Sequence, residues 1–526
     1  MTTVNLDIGS SLSRAALRAR LFEIDTEIEH LESRLEQLAK AREPIADALD
    51  SIIYPILTLP VEITSEILQQ HLDCLEDDED DDEDEDDHDN DIRFTPQAPF
   101  VYLNYARFGG PLFLSKICRF WRNIVLNTPS MWCRVAAFDN HWMTGPIPDF
   151  RELLQYWLSR ARGHELYLDF AEGAFEGPRY TELLLPTAAH HSSQWRSFSG
   201  YLDLSKLSAF DCVQACVPIL HELKLSIGVK SNLYPSAPSF AFSIAPQLRK
   251  VELRNVSPAC IVLPWRQLTH LTLKRQTLYA CTEILHQTPL LENLFVEVDL
   301  DEHSDSHRST PVTLDHVHSL RIGFRCRSAH EDILSYLTLP HLTTFVPSTI
   351  LEKDETLCTF LERSQCAVSS LSAGGVSGDV SAALGFILAM NQLKHLTFSV
   401  SDYPPNNLAN FLFRLTTDPA FLPRLQSLRI PTCYPVIPYL RIAKMLSSRW
   451  YERGSNPKLE SFRIIRRIPE DDPYETPSNR DIHRSDVVPD SAVADTLQAL
   501  IDDGLDIQIR SWHKMKASYH MNDFYD

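Results

Sequence analysis

Residues 248–253 read Leu-Arg-Lys-Val-Glu-Leu, and residues 268–273 read Leu-Thr-His-Leu-Thr-Leu. Both stretches place apolar residues at the first, fourth and sixth positions. The last three residues of each stretch alternate between apolar and polar side chains, which indicates a short β-strand with one covered face. The pattern recurs along most of the chain, so it predicts a series of similar strands.

The series has eight full copies and three weaker ones. The full copies begin at Leu220, Leu248, Leu268, Leu291, Val317, Leu393, Leu425 and Leu459, and the weaker ones at Trp195, Leu342 and Val368. The fourth positions of successive copies lie 20 to 34 residues apart. A period near 25 residues with this core is the signature of leucine-rich repeats, whose strands stack into a solenoid. Because the spacing varies and the usual Asn after the strand is missing, we predict a divergent leucine-rich-repeat domain over 150–526. The alternative, unrelated strands in an ordinary α/β domain, does not explain the common phase.

The C-terminal region carries one more helix–strand unit. Val493, Leu497 and Leu500 share a helix face, and Gly504 is suited to end that helix. The alternation from Leu505 to Ile509 then predicts a strand that closes the array, and a solenoid needs such a cap. Between this unit and the last copy, residues 469–490 are rich in Pro, Asp and Arg, and we expect an irregular loop.

The N-terminal region has a heptad pattern. Its apolar residues are spaced alternately by four and three, at Leu17, Leu21, Ile24, Ile28, Leu31, Leu35 and Leu38. This spacing predicts a coiled-coil helix over 11–50, with an interruption at Pro44. Two partners remain open for this helix. In the first, the helix pairs with a second copy through residues 15–43 and gives a homodimer. In the second, it folds back on its own chain.

Two short amphipathic helices are predicted next. The first follows Leu59-Pro60-x-Glu62-Ile63-x-x-Glu66-Ile67, where Pro60 suits the first turn of a helix. The second follows Leu112-Phe113-Leu114-x-x-Ile117-Cys118-Arg119-x-Trp121-Arg122-x-Ile124 and ends before Thr128-Pro129-x-x-Trp132. Helices this short are not stable alone, so they need each other or a partner's helix between them.

These residues, in this order, resemble the F-box, the helical module that docks a substrate receptor onto the Skp-type adaptor of cullin–RING ubiquitin ligases. The coiled coil, the Pro and the Leu-Pro motif are also similar to F-box proteins of mushroom-type fungi. The resemblance implies an F-box over 54–135. It implies adaptor contact by Leu59, Pro60, Ile63, Ile67, Leu114, Ile117, Cys118 and Trp121, although some of these must instead form the core of the module.

A departure from the compact F-box is the insertion at 73–111. Within it, 14 of the 16 residues from Glu76 to Asp91 are acidic, which predicts a disordered, self-repelling loop. The insertion raises the alternative that the chain is a coiled-coil-dimerised scaffold that is not assembled into a ubiquitin ligase.

The composition excludes several other classes of protein. The net charge is −22 over 526 residues, and −8 without the acidic tract. No basic cluster suits nucleic acid, no apolar run suits a membrane span, and the 11 cysteines show no zinc-ligand spacing. No phosphate-binding glycine loop or nucleophile elbow is present. We therefore expect an intracellular protein, cytoplasmic or nuclear, that is not an enzyme and holds no cofactor or metal.

The polar positions of the predicted strands carry an excess of cations. These positions hold Lys224, Lys250, Arg254, Lys274, Arg321, Arg429 and Arg463, against Glu222, Glu252 and Glu297. A solvated face with a chance excess is one interpretation. The other is a binding face for an acidic or phosphorylated protein substrate, because Arg suits carboxylate and phosphate. The chain's own acidic tract is a third candidate for this face.

Taken together, the sequence predicts an α/β protein with a coiled-coil helix, a small helical F-box module and a solenoid. The function implied is a substrate-recognition subunit of an SCF-type ubiquitin ligase, bound to a cullin through the adaptor.

Overall fold

The computed structural model describes most of the chain in two compact units. The described residues are 14–50, 58–77, 110–138, 150–171, 180–202, 204–227, 238–298, 310–324, 333–347, 349–351, 355–377, 392–400, 407–432, 437–451, 458–468 and 489–513. The first unit takes in residues up to 73 together with 112–128, and the second takes in 129 onward with 74–111. The acidic tract beyond residue 77 and the predicted loop at 469–490 lie outside the described residues, except for residues 489 and 490.

The first unit is helical. Its helices are α1 (Arg14–Asp50), α2 (Val61–Asp77), α3 (Pro111–Ile117) and α4 (Arg119–Asn127). The long N-terminal helix is confirmed, but the predicted interruption at Pro44 is wrong, because α1 continues past it to Asp50. A proline inside a helix removes one backbone hydrogen bond. The helix carries this cost near its C-terminal end, where few turns remain beyond the proline.

The second unit is built on one large parallel sheet. Its strands are β1 (Arg134–Phe138), β2 (Leu166–Ala171), β3 (Trp195–Leu202), β4 (Glu222–Ile227), β5 (Lys250–Arg254), β6 (His270–Gln276), β7 (Asn293–Val298), β9 (Ser319–Phe324), β11 (Thr344–Pro347), β12 (Thr349–Leu351), β13 (Ser370–Ser377), β14 (His395–Val400), β15 (Ser427–Thr432), β16 (Ser461–Ile468) and β17 (Asp506–His513). A separate pair is formed by β8 (Val312–Thr313) and β10 (Leu337–Thr338). The strands of the large sheet follow one another in chain order, with β12 added beside β13.

The register of the sheet follows the phase of the apolar pattern. Leu223 pairs with Val251, Val251 with Leu271, and Leu271 with Leu294. The same correspondence continues through Leu320, Phe345, Leu371, Leu396, Leu428 and Phe462. The sheet also begins earlier than the pattern indicates, because Val135 of β1 and Leu168 of β2 occupy the same register position.

The core lies on one face of this sheet. The first and fourth residues of all eleven copies are at most 3% exposed. Aromatic side chains fill the start of the core, where the Trp132 ring lies 4.8 Å from that of Trp157 and the Phe198 ring stacks on Trp195. The Trp at the end of the helical signature therefore belongs to the core of the second unit.

A repeated backbone contact holds each strand start to the next. One carbonyl just before a strand accepts hydrogen bonds from two consecutive amides before the following strand. The carbonyls that do so belong to His221, Arg249, Thr269, Glu292, His318, Thr343, Ser369, Lys394 and Gln426. Because the same geometry recurs at nine successive steps from β4 to β16, the spacing between these copies varies only in the segments that return from one strand to the next.

Several returning segments are helical. They contain α5 (Phe150–Ala161), α6 (Tyr180–Ala189), α7 (Leu278–Leu285), α8 (Glu355–Ser364), α9 (Asn407–Thr417), α10 (Tyr439–Tyr451) and α11 (Ser491–Asp502). The predicted C-terminal unit is confirmed as α11 and β17, with Gly504 between them at a φ of 102°. Across the described residues, no helix combines the length and apolar character needed to cross a membrane.

Candidate functional site

Two surfaces carry the residues that the sequence singled out, one on the helices of the first unit and one on the sheet. On α2, Thr64 and Leu68 are buried, whereas Ile63 is 50% exposed and Ile67 is 41% exposed. Residues four apart share a helix face. The helix therefore has a buried face and, beside it, an apolar face that no described residue covers.

The helix α3 repeats this arrangement. Leu114 is 2% exposed, whereas its neighbour Phe113 and Ile117, four residues further on, are 45% and 50% exposed. Each of the two helices thus presents an exposed apolar pair at a spacing of four. We call Ile63, Ile67, Phe113 and Ile117 the apolar patch residues. Phe113 was not among the residues predicted to contact the adaptor, although its spacing of four from Ile117 indicates that the two share a helix face.

The remaining residues predicted for adaptor contact lie at helix ends. The carbonyl of Pro60 accepts hydrogen bonds from the Thr64 amide at 3.0 Å and from its hydroxyl at 3.2 Å, which organises the first turn of α2. The Sγ of Cys118 accepts from the Trp121 amide at 3.4 Å and caps α4. Leu59 and Trp121 are half-buried, and the Trp121 indole N–H is buried without a hydrogen-bond partner among the described residues.

Two further contacts fix the module from within. The Ser65 and Thr128 hydroxyls lie 3.2 Å apart and join α2 to the end of α4. Arg122 donates from Nε to the carbonyl of Ser115 at 2.8 Å and joins α4 to α3. Neither of these contacts involves the apolar patch residues.

The sheet face opposite the core is the second surface. The seven predicted cations all lie in strands, at positions that alternate with the buried residues. Three of them make ion pairs, with Lys224–Glu222 at 3.4 Å, Lys274–Glu252 at 3.1 Å and Arg463–Asp506 at 3.0 Å. Asp506 was not among the predicted residues of this face, although it occupies a polar position in the alternation from Leu505 to Ile509. The Arg463 hydrogen bond lowers the pKa of Asp506, so this carboxylate stays charged.

An aromatic ring lies between two of these cations. Phe295 is half-exposed on the sheet face, with Lys274 Nζ 5.5 Å and the Arg321 guanidinium 5.3 Å from its ring centroid. Beside it, a Cβ added at Gly323 would lie 3.1 Å from the Phe295 ring. The glycine therefore lets the ring lie flat on the sheet. Cations held over an aromatic face in this way are a feature of protein recognition surfaces.

The second concentration of charge lies towards the end of the sheet. Arg429 is exposed and lies in register with Arg463 on the next strand. Two like charges side by side on neighbouring strands repel each other. In the part of the chain that the structure describes, Asp506 pairs with Arg463, and no ion pair is formed by Arg429.

One histidine of this face, His270, lies at the start of β6. Burial, followed by the charge of Lys250, lowers the pKa of His270. The amide of Asn293 donates to Nε2 at 3.0 Å, so Nδ1 carries the proton and donates to the Thr269 hydroxyl at 2.9 Å. His270 is therefore a neutral residue with both ring nitrogens hydrogen-bonded.

The described residues hold no metal-binding cluster of three or more His, Cys, Asp and Glu side chains. Burial raises the pKa of the Cys133 thiol to about 11 and that of Cys281 to about 12, which makes both thiols unreactive. No protein-family model matches the chain, and the search of curated proteins gives no significant match. Both surfaces are therefore assigned on their own geometry.

Proposed function

We propose that this protein is a substrate-recognition subunit of an SCF-type ubiquitin ligase. In this proposal the helices of the first unit are an F-box that docks the Skp-type adaptor. The observation that carries it is the apolar patch on α2 and α3, next to Leu59-Pro60 and the Cys118-Arg119-x-Trp121-Arg122 motif. Exposed isoleucine and phenylalanine pairs at helical spacing suit a partner's helix laid in a groove.

We propose that the sheet unit is a divergent leucine-rich-repeat solenoid that binds the substrate. Three observations support this: the strands follow chain order, the apolar phase sets the register, and the same carbonyl contact recurs between neighbours. Each strand of the path pairs with its neighbours in sequence, as in a quasi-one-dimensional array. The sheet face opposite the core is then the surface for recognition.

The chemistry of that face favours an acidic or phosphorylated substrate. Ion pairs reduce the positive charge of Lys224, Lys274 and Arg463, so the excess is smaller than the sequence indicates. Two guanidinium groups of this face are Arg321, held over Phe295, and Arg429, exposed on β15. Guanidinium groups bind carboxylate and phosphate oxygens through paired hydrogen bonds. The protein itself performs no chemistry, since proximity to the charged carrier enzyme supplies the rate gain.

Adaptor binding is tested with the full chain and a purified Skp-type adaptor. The variant Ile63→Ala with Ile67→Ala removes two exposed apolar side chains and leaves the buried Thr64 and Leu68 in place. We expect the affinity measured by titration calorimetry to fall about tenfold or more, since each tenfold corresponds to about 1.4 kcal/mol.

The control for this test is Phe413→Ala with Leu440→Ala. These residues are 59% and 56% exposed and lie on helices of the second unit, so they match the test pair in apolar character and exposure. Equal affinity of test and control variants would contradict the F-box assignment.

The alternative function, a scaffold that is not part of a ubiquitin ligase, predicts a different set of partners. Affinity purification with and without a proteasome inhibitor separates the two. A ligase subunit brings down adaptor and cullin, and its substrate accumulates when the proteasome is inhibited. A scaffold brings down neither adaptor nor cullin.

A further inference from the structure

The seam of α1 is exposed along its whole length. The seven apolar residues from Leu17 to Leu38 are between 37% and 71% exposed. Among the described residues, none covers this seam. A continuous row of aliphatic side chains over about 33 Å of helix is costly to leave in water.

The seam is also narrow. The positions that flank it on either side are Arg18, Asp25 and Glu32 on one flank, and Arg20, Glu27 and Arg34 on the other. A helix that packs on a globular core carries a wider apolar stripe, with a third position per heptad. Charged flanks on both sides of a two-position seam are instead the pattern of a helix paired with one other helix.

We propose that α1 pairs with α1 of a second copy of this chain, forming a two-stranded coiled coil. In a parallel pair, leucine or isoleucine lies opposite the same residue in every layer from Leu17 to Leu38, and in an antiparallel pair with Ile28 opposite Leu31 the layers from Leu21 to Leu38 are likewise aliphatic. In the described residues, no other helix has a comparable heptad seam. This proposal is independent of adaptor docking.

The flanking charges add little net affinity, and they meet different charges of the second copy in the two orientations. In a parallel pair, Arg20 attracts Asp25 of the second copy, and Glu27 repels Glu32 of the second copy. In an antiparallel pair with Ile28 opposite Leu31, Glu27 attracts Arg34, and Asp25 repels Glu32. One attraction and one repulsion balance in each case, so the aliphatic seam supplies the affinity, and we expect dissociation in the micromolar range.

Pairing has a consequence for recognition. A dimer carries two helical modules and two sheet faces. A partner with two binding segments would therefore bind the dimer more tightly than it binds a single copy. The gain depends on the effective concentration of the second segment and requires no new contact.

The dimer is tested on the full chain by sedimentation and light scattering at tens of micromolar. We expect the wild type to have the mass of two chains. The variant Ile28→Lys with Leu35→Lys puts charges in two seam layers and should have the mass of one. The control Thr26→Lys with Ser33→Lys adds the same charges on the outer face of the same turns, where both residues are exposed, and should stay dimeric.

Each variant adds two lysines to the same helix, which by itself could reduce helix content. Circular dichroism of both variants therefore shows whether a loss of pairing is accompanied by a loss of helix. A wild type that remains monomeric at these concentrations would overturn the proposal. So would a control variant that dissociates to the same extent as the seam variant.

A single charge reversal, Glu27→Lys, then tests the flanks. In a parallel pair it replaces a repulsion by an attraction to Glu32 of the second copy, and we expect the dissociation constant to fall about three- to fivefold. In an antiparallel pair it replaces the attraction to Arg34 by a repulsion, and the constant rises by a similar factor. A change of the dissociation constant in either direction supports the coiled coil. An unchanged dissociation constant contradicts the prediction that Glu27 lies beside the interface.

Discussion

At the scale of single residues, a buried arginine joins neighbouring segments of the sheet unit. Arg449 of α10 is 3% exposed and donates to four carbonyls at the end of α9 and the turn after it, those of Leu415, Asp418, Phe421 and Leu422. Arg363 of α8 does the same to Leu334 and Leu337. Both arginines satisfy carbonyls that a helix end leaves unpaired.

Replacing Arg449 should therefore destabilise the sheet unit. Arg449→Met keeps much of the apolar stem but removes one hydrogen-bond donor from each of these four carbonyls. We expect a loss of about 2–4 kcal/mol in the free energy of unfolding, measured from urea unfolding curves. The control is Arg441→Met on the same helix, since Arg441 is exposed and makes one hydrogen bond, to Ala409. An effect of Arg449→Met no larger than that of the control would contradict this role.

The cysteines should differ sharply in reactivity. The Cys281 thiol is fully buried, and its pKa of about 12 leaves it protonated at pH 8, so it supplies almost no thiolate. Cys216 is exposed. We expect iodoacetamide at pH 8 to modify Cys216 within minutes and to leave Cys281 unmodified until the protein is unfolded, as read by peptide mass spectrometry. Modification of Cys281 in the native protein at a similar rate would show that its segment opens.

At the scale of elements, α2 and α3 each place buried and exposed apolar residues side by side. On α3, Leu114 faces the interior and Phe113 faces solvent, although both are large and apolar. On α2, the buried pair and the exposed pair are likewise adjacent around the helix. A hydrophobic pattern alone does not separate these roles, because both faces are apolar.

Alanine at these adjacent positions of α3 should have opposite effects. Leu114→Ala removes a buried side chain, and we expect it to cost the first unit about 2–4 kcal/mol, read by hydrogen exchange of its helices. Phe113→Ala should change that stability by only about 0.5 kcal/mol. It should instead weaken adaptor affinity. If both variants lost stability equally, Phe113 would belong to the core.

At the scale of the whole molecule, the sheet face has a charge opposite to that of the chain. The chain carries −22, yet cations outnumber carboxylates on this face even after Asp506 is counted. Screening limits such attraction to about 8 Å at physiological salt, so only a partner that contacts the face experiences it.

Charge reversal on the face should weaken binding of acidic ligands. The variant Arg321→Glu with Arg429→Glu is compared with the wild type by fluorescence anisotropy, using a polyglutamate peptide and a phosphoserine peptide as probes. We expect affinity to fall about tenfold or more and the salt dependence to decrease, while adaptor affinity persists.

The control reversal is Arg266→Glu with Lys444→Glu. Both residues are exposed and lie in segments between strands, and the charge change is the same. If the two variants bound the probes equally well, the face would be an ordinary solvated surface. Comparing the affinities of the polyglutamate and phosphoserine peptides shows whether the face prefers carboxylate or phosphate.

The strands and their register were predictable from the chain alone. Each strand needs apolar residues at alternate positions, and each return to the sheet brings the same position into line, so the local pattern at Leu223, Val251 and Leu271 already contains the pairing. The first two strands were missed, although the alternation Leu166-x-Leu168-x-Phe170 is visible. The interruption expected at Pro44 was wrong, because a proline's local cost does not by itself end a long helix.

Which apolar residues are covered and which charges are paired was decided only in three dimensions. Leu114 and Phe113 are neighbours in the chain, and only the packing of the helices makes one a core residue and the other a surface residue. Arg463 is neutralised by Asp506, 43 residues away, through the pairing of β16 with β17. Periodicity is a property of local sequence, whereas burial and charge compensation depend on residues that folding brings together from distant parts of the chain.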